Sequence, residues 1–166
     1  MSTQGPHSLS PNTPTSIKRV LVSAGLIRAP KGHSQEGKIL MTRRLADAHL
    51  AHAWEFPGGK VEIGEDPIDA LHRELREELA IEVNRVEIFS VGHHLYDLTK
   101  SKGMPQAKDV VLMVYECYIS AGEPQALGVS DYSWLSPAQV CNLPLPPADE
   151  EVITRLRREL DGNDHE

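Results

Sequence analysis

The chain has 166 residues, 40% of them hydrophobic, which suits one domain with an ordinary core. A formal charge of -7 argues against non-specific nucleic-acid binding, which rests on Lys and Arg neutralising phosphates, but leaves room for a nucleotide held through a metal. Two cysteines, Cys117 and Cys141, are too few for a disulfide framework, and no apolar run approaches the roughly 20 residues of a membrane span.

Residues 1–16 are rich in Ser, Thr, Pro and Gly, and a disordered tail is expected there. These residues show no basic region followed by an apolar core, so a cytoplasmic setting is expected. Ile17 to Ile27 reads as a largely buried strand, residues 28–37 as a polar loop, and Lys38 to Thr42 as the next strand of a long-looped hairpin. Arg43 and Arg44 follow; taken alone, such a pair is usually a solvated strand end. His49 and His52 lack further ligands at zinc spacing, which leaves surface or packing roles. The folded domain is expected over residues 17–161, with a short tail at 162–166.

The chain is organised around Trp54 to Ile81, which reads as strand, glycine turn and helix. Asp66 suits the N-cap and Pro67 the first helical position, where its missing N–H costs nothing. Ile68, Leu71, Leu75 and Leu79 recur at steps of three and four and predict one buried stripe. Beside it, Glu74, Glu77 and Glu78 span an arc of roughly 100°. Like charges at this spacing repel, so the cluster calls for a cation. Carboxylate oxygens facing one point suit Mg²⁺, with Mn²⁺ as a substitute, and Glu65 could add a ligand. Arg73 lies four residues before Glu77 and can fix its rotamer. One carboxylate of the group would take a proton from water, with Glu74 the first candidate. The competing reading is a solvated acidic helix face.

Gly59, five residues, Glu65, seven residues, then Arg73-Glu74-Leu75-Arg76-Glu77-Glu78-Leu79-Ala80-Ile81 resembles the Nudix box, with Ala80 where the family has glycine. Thr42 to His49, Trp54 to Lys60, and Pro146 to Ile153 resemble segments of its MutT-like members, so the likeness covers most of residues 18–160. It implies an α/β fold, an α/β/α sandwich around a mixed sheet. It also implies that a carbonyl of Gly58 or Gly59 ligates the metal and that Lys60 faces the polyphosphate. Arg44 would contact the base, Phe56 would lie near the base pocket, and Arg43 would serve phosphates or surface. In such enzymes water attacks the β-phosphorus of a nucleoside triphosphate, giving the monophosphate and pyrophosphate, as in removal of 8-oxo-dGTP from the nucleotide pool.

Beyond the helix, Ala80 at a left-handed cap would cost about 1–2 kcal/mol, which suggests that the helix exits differently. Ile81 to Phe89 reads as a strand with an irregularity near Asn84, and Val91 to Leu98 as another. Its adjacent His93 and His94 face opposite sides, so at most one would enter a pocket. Residues 99–108 read as a loop at the edge of the site, and Asp109 to Ser120 as the best interior strand. A turn at Gly122-Glu123-Pro124 precedes a short strand, Asp131 to Leu135. The resemblance places an acidic metal ligand between them, where ungapped alignment finds Gly128; Asp131 and Glu123 are near but at the wrong spacing. A short helix is expected from Ser136-Pro137, and a last amphipathic one over Asp149 to Leu160, with Val152, Ile153, Leu156 and Leu160 inward.

Asp149 stands where MutT-like members have asparagine, which answers the O6 acceptor and N7–H donor of 8-oxo-guanine together. An ionised aspartate only accepts; a protonated one can also donate, and burial favours protonation. Capping the last helix is its other reading. The reading that follows is a Mg²⁺-dependent nucleoside triphosphate diphosphatase acting on 8-oxo-dGTP and dGTP, with no stable nucleic-acid or membrane partner, as a monomer or small homo-oligomer. The alternatives are a CTP or broader-specificity Nudix pyrophosphohydrolase, an enzyme of RNA 5′ ends, and a catalytically silent nucleotide-binding module.

Overall fold

The computed structural model describes residues 16–48, 51–97 and 106–163. Residues 1–15 of the expected tail, His49, and most of the 99–108 loop lie outside the described residues, while Ser16, expected in the tail, begins a strand. In chain order come β1 (Ser16–Arg28), β2 (Ile39–Arg43), β3 (Trp54–Glu55), β4 (Gly58–Lys60), α1 (Pro67–Leu79), β5 (Glu82–Asp97), β6 (Gln106–Ala121), β7 (Asp131–Leu135), α2 (Pro137–Cys141), a 3₁₀ turn (Pro147–Asp149) and α3 (Glu150–Asn163). None of the described helices is long and apolar enough to cross a membrane.

The sheet is mixed, in the order β3-β2-β1-β6-β5, with β4 also paired to β1 and β7 to β2. At its centre β1 runs parallel to β6 along its whole length, from Ser16↔Gln106 to Arg28↔Tyr118. Alternation then sends side chains to two cores. Ala24 and Leu26 of β1, Met41 of β2 and Val114 of β6 pack with Val152 and Leu156 of α3. Ile27, Leu40 and Cys117 face the other way, onto Leu71, Leu75 and Leu79 of α1. Both cysteines are buried free thiols. Helices thus cover both faces of the sheet, the expected sandwich.

The expected long-looped hairpin forms, but its paired stretch is short. β1 and β2 pair only at Ile27↔Leu40 and Arg28↔Ile39, because the adjoining edge of β1 is taken by β4. The two strands expected over 81–98 are one, β5, whose irregularity at Asn84 is a bulge with Arg85 at a φ of 51°. β6 begins at Gln106, so residues 106–108 are strand rather than loop. α3 continues to Asn163, into the expected tail.

Asp66 caps α1 by accepting from the N–H groups of Ile68 and Asp69, and Pro67 follows it. Ile68 does not join the buried stripe; it is 37% exposed, and Ala70 is buried instead. The helix ends on Ala80 at φ 57°, ψ 35°. Its N–H donates to Arg76 and that of Ile81 to Leu75, the paired bonds of a left-handed cap. The different exit expected for an alanine therefore does not occur. The chain keeps the geometry and bears the strain, and the two capping bonds offset it.

Candidate active site

A cavity of about 510 Å³ opens where β4 and the turn before it meet α1, the end of β2 and the 3₁₀ turn. Glu74 and Glu78 lie on its wall with Gly58, Gly59 and Lys60; Arg44, Glu55, Phe56 and Asp149 line it as well. Its sides are Val20, Val22 and Ala24 of β1 and Lys108, Val110 and Leu112 of β6. These are same-face neighbours across the parallel pair, Val20 opposite Val110 and Val22 opposite Leu112.

Glycine is required where the helix meets β4. A Cβ on Gly59 would fall 2.3 Å from the carboxyl carbon of Glu74. That carboxylate is also held at 2.7 Å by Arg73 Nη1. Arg73 is the organising cation of the helix face. Its Nε and Nη2 donate to the two oxygens of Glu65 at 2.7 and 3.0 Å, and Nη2 also donates to the carbonyl of Lys60. Arg73, and next the Glu62 N–H, hold the Glu65 carboxyl down to about 2. Glu65 therefore faces Arg73 here, and its place is the support of that side chain. Glu77, four residues on, is 3.5 Å from Arg73, and its side chain is 60% exposed.

Of the three carboxylates expected to face one point, Glu74 and Glu78 line the cavity and Glu77 lies at the solvent edge. Among the described residues no group of three His, Cys, Asp or Glu side chains converges as a metal cluster. The donors still fit a hard divalent cation. Burial, then the charges of Glu74 and Glu55, push Glu78 up to about 8, against the opposing Gly58 N–H and Arg44. Carboxylates crowded in this way, next to the Gly58–Gly59 backbone, lack enough positive charge from the protein itself.

Elsewhere on the cavity wall Arg44 Nη1 donates to Glu55 at 2.8 Å, while its buried Nε has no hydrogen-bond partner among the described residues. Burial raises Glu55 despite this pair. Asp149 is 7% exposed. Burial, and then the charge of Glu55, push it up to about 7. Phe56 is in the core at the cavity floor. Arg43 is elsewhere: its Nε donates to the carbonyl of His52, and its own carbonyl accepts from Ser130.

Gly128 sits against Glu78. Its N–H donates to the Glu78 carbonyl at 3.2 Å, and a Cβ there would meet Glu78 Cγ at 3.2 Å. Asp131 and Glu123 are exposed and line no part of the cavity. His93 pairs with Asp109, which Arg19 also holds at 2.7 Å, away from the cavity. His94 packs edge-on against Tyr96 at 4.6 Å. Sequence reasoning missed Glu55, Tyr96 and Lys108 as cavity residues. The glutamate lay inside the quoted motif; the other two become visible only once β5 and β6 are set beside β1.

A model of the NUDIX domain matches residues 20–156. The chain is 32% identical over 142 residues to an 8-oxo-dGTP diphosphatase of Escherichia coli K12, covering 86% of this chain and 99% of that one. It is 36% identical over 137 residues to a CTP pyrophosphohydrolase of the same organism, covering 82% and 90%. The crystal structure of a MutT NUDIX hydrolase from Burkholderia pseudomallei superposes with a TM-score of 0.63 at 26% identity, over 84% of this chain and 97% of that one. With the same fold and the motif at the mouth of its cavity, the chain belongs to the Nudix family and is a hydrolase of phosphoanhydride bonds.

Proposed function

We propose that the protein is a divalent-metal-dependent nucleoside triphosphate diphosphatase of MutT type, with an 8-oxo-guanine nucleotide as preferred substrate. The observation that carries this reading is one cavity lined both by the carboxylates Glu74 and Glu78 and by a base-reading pair, Arg44 and Asp149. Mg²⁺ or Mn²⁺, held by Glu74, Glu78 and a Gly58 or Gly59 carbonyl with Glu77 alongside, would supply charge neutralisation for the phosphates and acidify a bound water.

The protein's own residues do the rest. Arg73 fixes the Glu74 carboxylate, and the Gly58 N–H holds Glu78. One of these carboxylates, in its ionised form, takes the proton of the attacking water, and Glu74 is the first candidate, because burial and the neighbouring charges favour the protonated form of Glu78. Lys60, exposed at the rim, meets the polyphosphate. Arg44 offers its unpartnered Nε to the substrate. A buried Asp149, protonated near neutrality, donates to O6 and accepts from N7–H, as an asparagine would.

Turnover of 8-oxo-dGTP, dGTP and CTP with Mg²⁺ tests this. Pyrophosphate release should be fastest per unit concentration on 8-oxo-dGTP. Glu74→Gln should lower kcat by about 10²–10⁴-fold with the fold intact. Release of orthophosphate, or full activity of that variant, rejects the reading. A second reading, CTP hydrolysis, is favoured by Asp149 itself: ionised, it accepts from the amino group of cytosine. A higher kcat/KM for CTP would select it.

A further inference from the structure

We propose that Tyr96 is a positioning residue that sets base selectivity, by seating the turn that carries Asp149 into the cavity. This rests on the reading of Asp149 as a base contact. The turn Pro147–Asp149 is closed internally by one bond, Asp149 N–H to the Pro146 carbonyl, at 2.9 Å. Its middle residue, Ala148, is held from outside by β5. The Ala148 N–H donates to the Tyr96 hydroxyl at 3.3 Å. The Ala148 carbonyl lies so close over Gly92 that a Cβ there would come within 2.0 Å of its oxygen.

Gly92 and Tyr96 are four residues apart on one strand, hence on the same face of the sheet. Together they engage both backbone groups of the residue before Asp149. Tyr96 and Asp149 both line the cavity, and the edge-on contact with His94 supports the tyrosine ring. Its hydroxyl spends a lone pair on Ala148 and keeps its own proton free to donate. A tyrosine here therefore fixes the height and angle of Asp149.

The test is binding of 8-oxo-dGMP, dGMP and CMP by calorimetry, which needs neither turnover nor metal. The wild-type protein should separate the three. Tyr96→Phe keeps the ring and should narrow that separation by about five- to tenfold, leaving kcat on the triphosphate within about twofold and KM raised. Asp149→Ala should narrow it too, and the double variant no further. A Tyr96→Phe protein that keeps the full separation, or that loses kcat equally on all nucleotides with KM unmoved, overturns the proposal while leaving the Asp149 reading intact. An Asp149→Ala protein with unchanged separation overturns both.

Discussion

At the scale of single residues, charge balance explains most of what the cavity does. Arg73 reaches Glu65, Glu74 and Glu77, so one guanidinium orders one side of the acidic cluster. Arg73→Ala should lower kcat by about 10–100-fold through misplacement of Glu74, with little loss of stability because these pairs are partly solvated. Steady-state kinetics beside a melting curve would separate the two effects. Asp149 gives a pH prediction. Its folded value, about 7, lies above the ordinary carboxylate range, so the native state binds the proton more tightly than the unfolded chain. Stability is therefore lost as pH rises from about 4 to about 7. Asp149→Asn removes the titration. Its Tm relative to wild type, measured without metal, should climb across that window and level off above it; a flat difference contradicts the assignment. The acidic helix face was legible from spacing alone. The divergence of Glu77 from Glu74 and Glu78 was not, since an arc on a helix does not say how deep a neighbouring strand lies. Nor was the bond between Arg73 and Glu65, which crosses the loop leading into α1.

At the scale of elements, the caps of α1 decide its limits. Asp66 satisfies two N–H groups at the start, and Asp66→Ala should cost about 1 kcal/mol in denaturant unfolding. At the other end Ala80 holds a backbone shape that favours glycine. Ala80→Gly should raise stability by about 1 kcal/mol with activity unchanged, because Gly122 and the turn after it already fit this exit. A loss of stability would mean that the strain at Ala80 is relieved in some other way. The short strand Asp131–Leu135 and the capped helix after Ser136 followed from local residue chemistry. The union of two expected strands into β5 did not, because a bulge at Asn84 and Arg85 interrupts the alternation on which strand reading depends.

For the molecule as a whole, the sandwich came from family likeness, while the order of strands came from the structure. No local signal joins β1 to β6: they lie side by side through thirteen pairs yet far apart in the chain. That pairing builds the sides of the cavity and brings Lys108 to it. A chain cut after Asp97 lacks β6 and should show no cooperative unfolding transition by circular dichroism, even though it retains the whole acidic helix. The same arrangement imposes an order of events during synthesis. Ser16 leaves the ribosome about 90 residues ahead of its partner Gln106, an interval of roughly 5–20 seconds at ordinary translation speed. Through that wait β1 can pair with β2 and β4 on one edge while its other edge stays open along its whole length, so the yield of native protein in a cell should depend on the chaperones that shelter nascent chains.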